Sequence, residues 1–249
     1  MGTRASTLIG VVLHAVAASV GDALSTVAMP EVMFIRHGRT EMNEHLSRPG
    51  NQWGAPNFLD PGLWDTTLTN VGEYQAKQLN EQLTVQLSGR RVDLLVSSPL
   101  RRALQTAEIA FAGIECTTYD VSPLAAERCF LSSDVGSHPD VLRRTFRREW
   151  ALGFDALSDE WWYRPVTPHD EWRPPGTYLN VGEPDDTFYR RMRDLLAYLR
   201  SKLSSNQRVA LVAHWGTIYA LTGLSLRNAE CITLPASELT AEPFIIPDT

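Results

Sequence analysis

The chain has 249 residues, 43% hydrophobic and 21% charged, which is ordinary globular usage and excludes wholesale disorder or a fibrous repeat. That length can bury a full core without metal or disulfide staples. A formal net charge of −6 argues against nucleic acid as a partner, because a general binder of it needs a basic footprint.

Residues 1–30 carry one basic residue, Arg4, and no acid before Asp22. Residues 7–20 are apolar apart from Thr7, His14 and Ser19. A bilayer span needs about 20 apolar residues, so this run is too short. Residues 1–28 read as a secretory signal, a transit segment poor in acids, or a start assigned too early with Met29 as the true one. The first two readings direct the protein to the secretory route or an organelle, and the third to the cytoplasm. Strand-like sequence directly after Met29-Pro30 favours the third. Residues 29–249 are then one domain. No other segment is apolar enough to span a membrane, so no stable membrane association is expected.

Val32-Met33-Phe34-Ile35 is a short apolar run, and a buried parallel strand is expected over 32–36. Residues 44–66, rich in Gly, Pro, Asn and Asp, read as a long loop. Thr69 is placed to cap a helix over about 70–87, with Leu79, Leu83 and Leu87 on one face. A strand over 91–96 follows, then a helix over 100–111 that starts near Pro99. Residues 116–119 suit a further strand. Residues 128–183 show little periodicity and read as a lid-like insertion over the active site, the kind of long irregular segment that often carries function. Phe188, Met192, Leu195, Leu199 and Leu203 then form one helical stripe. Residues 208–213 suit a strand and 215–224 a helix. Alternation of strand and helix predicts an α/β fold, a three-layer sandwich with a mainly parallel central sheet. In such sheets the reactive crevice lies at the carboxyl ends of the strands.

His37 and His214 each follow a predicted strand and lead into a turn that contains glycine. Arg36 and Arg39 flank the first. The strand over 91–96 runs into Ser97-Ser98-Pro99-Leu100-Arg101-Arg102, which brings further guanidinium to the same sheet edge. Arginine and imidazole around one point suit a phosphoryl dianion. A neutral histidine can attack phosphorus, and surrounding arginines help keep it unprotonated.

Arg36-His37-Gly38-Arg39-Thr40-Glu41-Met42-Asn43 resembles the RHGxTxxN signature of the histidine phosphatase superfamily, the phosphoglycerate mutase-like proteins. The resemblance continues through Leu68-Thr69-x-x-Gly72, Ser98-Pro99-Leu100-x-Arg102-Ala103-x-Gln105-Thr106-Ala107 and Ala213-His214-Trp215-Gly216, in that order. It covers about 29–225. The stretch from Glu127 to Trp162, with Ser133-Asp134-Val135-Gly136 and Trp161-Trp162, is also similar to plant and fungal mutase-like proteins. The resemblance implies that His37 is the nucleophile that becomes phosphorylated. It implies that Arg36, Arg102 and His214 hold the phosphoryl group with help from Asn43 and Thr40. Arg101 falls on the variable position of the motif. Glu127, in Ala126-Glu127-Arg128, matches the family's proton donor.

Two activities share the phosphohistidine step. Water takes the phosphoryl group in a phosphohydrolase, and a second substrate hydroxyl takes it in a cofactor-dependent phosphoglycerate mutase. Glycolytic mutases carry Glu-Arg-His-Tyr-Gly and then Gly-Leu-Asn-Lys after the acid. This chain reads Glu127-Arg128-Cys129-Phe130-Leu131 and has no lysine between Lys77 and Lys202. A phosphohydrolase acting on a small phosphorylated substrate is therefore favoured. A non-catalytic binding member of the same fold is the third reading, and the presence of all the motif residues weighs against it.

Cys116, Cys129 and Cys231 include no CxxC pair and no Cys-x5-Arg, so a disulfide framework, a structural zinc site and cysteine-phosphatase chemistry are not expected. His14, His45, His138 and His169 make no tight ligand spacing. Neither a metal nor another cofactor is expected. Monomer and homodimer both remain open. Arg143, Arg144, Arg147 and Arg148 suit a solvated helix face, and Trp161 and Trp162 suit packing within the insertion.

Overall fold

The computed structural model describes residues 29–52, 55, 58–164, 182–203 and 208–247. The segment 1–28 and residues 165–181 of the expected insertion lie outside the described residues. The chain runs β1 Glu31–Arg36, α1 Glu41–Leu46, α2 Asn70–Leu87, β2 Val92–Ser97, α3 Arg101–Ala110, β3 Cys116–Val121, α4 Pro139–Thr145, α5 Ala151–Asp155, α6 Asp185–Lys202, β4 Arg208–Ala213, α7 Trp215–Thr222 and β5 Cys231–Pro235. The sheet order is β3-β2-β4-β1-β5. β1, β2, β3 and β4 pair in parallel, and β5 joins the β1 edge antiparallel.

Side chains alternate across this sheet. Met33 and Ile35 of β1 and Ala210 and Val212 of β4 face α2 and α3, through Leu79, Leu83, Leu87 and Leu104. Val32 and Phe34, with Val209 and Leu211, face α6 and α7, through Phe188, Met192, Leu195, Leu199 and Ile218. Helices on both faces make three layers, as expected from the β/α alternation. Each fully buried aliphatic or aromatic side chain contributes about 1.5–3 kcal/mol, so these two clusters are the main stabilising term. Among the described residues no helix is long and apolar enough to cross a membrane.

Three regions differ from expectation. α1 occupies part of the predicted loop 44–66. It is six residues long and is held by a capping box in which Thr40 and Asn43 exchange side-chain and backbone hydrogen bonds. Within the insertion, α4 and α5 form, and Leu142, Trp150, Phe154 and Trp161 join the core cluster on the α2/α3 face. Helices of seven and five residues are too short to show a period. β5, half-buried and five residues long, was not foreseen for the same reason.

The turn after β1 packs against the start of α2. Thr69 caps α2 by accepting the Gly72 N–H at 3.2 Å, and the Thr69 N–H donates to the Arg39 carbonyl at 2.9 Å. The backbones approach so closely that a Cβ at Gly72 would lie 2.1 Å from the Arg39 oxygen, and one at Gly38 would lie 2.6 Å from the Gly72 oxygen. Backbone cannot yield as a flexible side chain can. Gly72→Ala is expected to destabilise the protein by more than about 2 kcal/mol. Urea unfolding of the purified variant checks this, and a midpoint unchanged from wild type contradicts it.

Candidate active site

β4 lies between β1 and β2, and all three run in parallel. Their carboxyl ends therefore sit side by side. The His37 N–H donates to the Ala213 carbonyl at 3.0 Å, and the Ser98 N–H donates to the Val212 carbonyl at 3.0 Å. The ladder thus delivers Arg36-His37, Ser98 and His214 to one point.

The His37 and His214 ring centroids are 5.1 Å apart. His37 Nδ1 lies 2.7 Å from the Gly38 carbonyl oxygen. A carbonyl only accepts, so Nδ1 carries the hydrogen and Nε2 keeps the lone pair. The neighbouring backbone is fixed: the Gly38 N–H donates to Thr106 Oγ1 at 3.0 Å, and Thr106 donates to the Arg102 carbonyl at 2.7 Å. His37 is 5% exposed. Burial first, then Arg102 and Arg36, hold its imidazole well below the ordinary value of 6.5. His214 is held low by burial, with Arg102 and His37 adding.

Arg102 is the charged centre. Its Nε–H donates to His214 Nδ1 at 3.3 Å, Nη1 donates to the Ser133 carbonyl, and Nη2 meets Asp134 Oδ1 at 2.9 Å. Among the described residues these contacts use three of its five N–H donors, which leaves two for an incoming anion. Since His214 Nδ1 accepts, Nε2 carries hydrogen and donates to Ser98 Oγ at 2.7 Å. In this arrangement His214 orients Arg102. Arg36 donates through Nη1 to the Leu226 carbonyl at 2.8 Å, and its buried Nε has no partner among the described residues. Burial, and secondarily Arg102, lower the Arg36 pKa, while Glu127 opposes them.

Asn43 Oδ1 accepts the Thr40 N–H and Asn228 Nδ2, both at 3.2 Å, so its amide NH₂ is the face open to an anion. Thr40 is 1% exposed and its hydroxyl oxygen accepts the Asn43 N–H at 3.1 Å. The hydroxyl thus caps α1 as an acceptor, and its O–H remains a donor. Glu127 Oε1 accepts the Arg128 N–H at 2.9 Å, and Oε2 accepts the Gly216 N–H at 3.1 Å, at the start of α7. A helix N-terminus favours this carboxylate. A Cβ at position 216 would lie 2.6 Å from Glu127 Oε1, so the contact needs glycine there.

Asp134 is the residue that sequence reasoning left without a role. It is buried with Arg102, and its Oδ2 accepts the Phe130 and Leu131 N–H groups. Burial pushes its carboxyl up to about 6 against the pull of Arg102, and Glu127 adds to the rise. Ser98, which the motif included without a role, accepts from His214, and Asn228 was missed because its hydrogen bonds to distant chain leave no local pattern. Asp65 caps α3 by accepting the Arg101 N–H at 2.9 Å, so this neighbour of Arg102 belongs to the helix start. Arg143 is paired at the surface with Asp140 and Asp155, and Trp161 packs in the core with its Nε1 on the Ser137 carbonyl at 3.0 Å. The Cys129 thiol is buried, and burial pushes it well up, away from the thiolate. Among the described residues no group of three or more His, Cys, Asp or Glu could hold a metal ion.

The depressed imidazoles couple stability to pH. The unfolded chain binds protons on His37 and His214 below about 6.5, and the folded chain does not. Stability therefore falls as pH drops from about 6.5, by up to about 1.4 kcal/mol per pH unit for each imidazole. Asp134 acts with the opposite sign, since its folded carboxyl protonates first, and it offsets part of this loss between about 6 and 4. Urea titrations at pH 7, 6 and 5 should show the decline, and His37→Asn should flatten it. An equal slope in the two proteins counts against the buried neutral imidazole.

Comparison with known proteins places the chain among phosphoryl-handling enzymes. The sequence model described as Histidine phosphatase superfamily (branch 1) matches residues 32–237. The chain is 28% identical over 207 residues to "Putative phosphoserine phosphatase 2" of Hydrogenobacter thermophilus, covering 80% of this chain and 82% of that one. It is 37% identical over 82 residues to a phosphoglycerate mutase of Candida albicans, which covers 33% of this chain and 27% of that one. Among solved structures it is similar to the alpha-ribazole phosphatase of Shigella flexneri, at 19% identity and a TM-score of 0.48, covering 82% of this chain and 89% of that one.

Proposed function

The chain belongs to the histidine phosphatase superfamily, branch 1, and on that footing we propose that it is a phosphohydrolase acting on small phosphoric monoesters through a phosphohistidine on His37. Nε2 of His37 attacks phosphorus in line with the ester oxygen. The N–P bond forms as the P–O bond breaks, and Glu127 gives its proton to the departing alkoxide. The Glu127 carboxylate then takes a proton from water, whose oxygen attacks the phosphohistidine and releases inorganic phosphate. General acid–base help of this kind is worth about 10²–10⁴ in rate. Arg36, Arg102 and the Asn43 amide neutralise the equatorial oxygens, which is most of what phosphoryl transfer asks of a protein. His214 keeps Arg102 aimed at the transferring group.

The observation that carries this reading is the buried His37 ring with Nδ1 2.7 Å from the Gly38 carbonyl, beside the Arg36 and Arg102 guanidiniums that, with burial, hold its pKa low. Water as acceptor is favoured over a second phosphorylated substrate by what surrounds the acid. Cys129 is buried and Phe130 lies under the Arg128 guanidinium at 4.4 Å, where a mutase would present polar groups.

Three measurements test the proposal. Rapid quench with a ³²P-labelled monoester should trap an acid-labile, base-stable phosphoprotein in the wild type, and His37→Asn should lose it together with at least about 10³-fold of phosphate release. Phosphate release that persists in His37→Asn refutes the nucleophile. Supplied with 3-phosphoglycerate and bisphosphoglycerate primer, the protein should release phosphate and form little 2-phosphoglycerate. Rapid isomerisation would assign it to the mutases instead. Activity should also survive a chelator.

A further inference from the structure

Glu127 lies in a stretch with no helix or strand, between the 3₁₀ turn Pro123–Ala125 and the one at Ser132–Asp134. The carbonyls of a helical turn's end have no partner within the turn. Here one side chain collects them. Arg191 Nη1 donates to the Leu124 carbonyl at 2.9 Å and to the Ala126 carbonyl at 2.7 Å, and Nη2 donates to the carbonyl of Glu127 itself at 3.3 Å. Thr217 adds a hydrogen bond to the Ala126 carbonyl at 2.8 Å.

Arg191 is itself locked. Its Nε donates to Glu183 Oε1 at 2.9 Å and its Nη2 to Glu183 Oε2, a two-point pairing with a carboxylate that is 1% exposed. Glu183 also grips the same stretch: its N–H donates to the Cys129 carbonyl at 2.8 Å, and its carbonyl accepts from Arg128 Nε at 2.9 Å. Arg191 stands on α6 between Phe188 and Met192, both fully buried. The guanidinium is thus anchored to the core on one side and to the Glu127 backbone on the other.

We infer that Arg191, held by Glu183, is the positioning residue for the general acid Glu127. The inference rests on the proposed role of Glu127. The guanidinium touches no reacting atom. It fixes where the carboxyl group stands relative to the leaving oxygen, and a displacement near 1 Å at such a group can cost about 10²-fold.

The test uses leaving groups. An alkyl phosphate such as glycerol phosphate needs a proton on its departing oxygen, and 4-nitrophenyl phosphate needs almost none. Arg191→Lys keeps the charge opposite Glu183 but loses the fork that reaches the three carbonyls. It should lower kcat/KM, which reports only the steps up to release of the alcohol and so excludes the later hydrolysis that Glu127 also assists, by about 10- to 100-fold on glycerol phosphate and by less than about threefold on 4-nitrophenyl phosphate. Arg191→Met combined with Glu183→Gln removes both buried charges and should show the same split. Glu127→Gln is measured alongside as the reference. Equal losses on both esters in the Arg191 variants, while Glu127→Gln separates them, overturn the positioning role alone. A Glu127→Gln protein that does not separate the two esters removes the acid assignment and this inference with it.

Discussion

Burial and the guanidiniums of Arg36 and Arg102 make a proton on His37 unfavourable, and the Gly38 carbonyl decides which ring nitrogen keeps the one hydrogen that remains. A lone pair on Nε2 is the outcome. The surrounding scaffold can be understood as the set of constraints that maintain it. Gly38 must approach Gly72 closely, so neither position tolerates a side chain. Thr106 holds the Gly38 N–H and ties it to the Arg102 backbone, so the turn carrying His37 and the helix carrying Arg102 are joined by one hydroxyl. The parallel ladder between β1 and β4 then sets the distance from His37 to His214.

The same pocket has a charge problem in the absence of substrate. Two guanidiniums buried together repel, and each has lost its hydration. Asp134 and Glu127 answer that repulsion from the far side. Asp134 sits directly on Arg102, and burial raises its carboxyl to about 6 against that guanidinium's pull. A phosphoryl dianion arriving at Arg102 would raise that carboxyl's proton affinity further, by like-charge repulsion.

The strand–helix alternation, the α2 and α6 stripes and the two histidines at strand ends could all be read from local pattern, because period and capping are local properties. Thr69 and Leu79, Leu83 and Leu87 are where a 3.6-residue repeat places them. β5 and the helices α1, α4 and α5 are too short to show a repeat, and their existence depends on surfaces supplied by distant chain. The site was legible in part for the same reason. Arg36, His37, Arg102 and His214 follow strands or start helices, so topology alone brings them together. Asp134, Asn228 and Arg191 have no such marker. Each acts by a hydrogen bond across dozens of residues, and an aspartate in Ser132-Ser133-Asp134 looks like any turn residue.

Glu127 is held in place differently from His37. β3 is the outermost strand of its side, two strand spacings from β4 and roughly 10 Å away. The chain leaving Val121 has six residues in which to return across the strand ends to the N–H of Gly216, a reach of at most about 20 Å. A strand ladder cannot guide it, since the segment runs across the strands rather than along them. Precision on that path has to come from side chains that arrive from below, and a guanidinium is suited to it because one planar group can satisfy several carbonyls at once. Placing that group on α6, whose Phe188, Met192, Leu195 and Leu199 are fully buried, ties the stretch around Glu127 to the core.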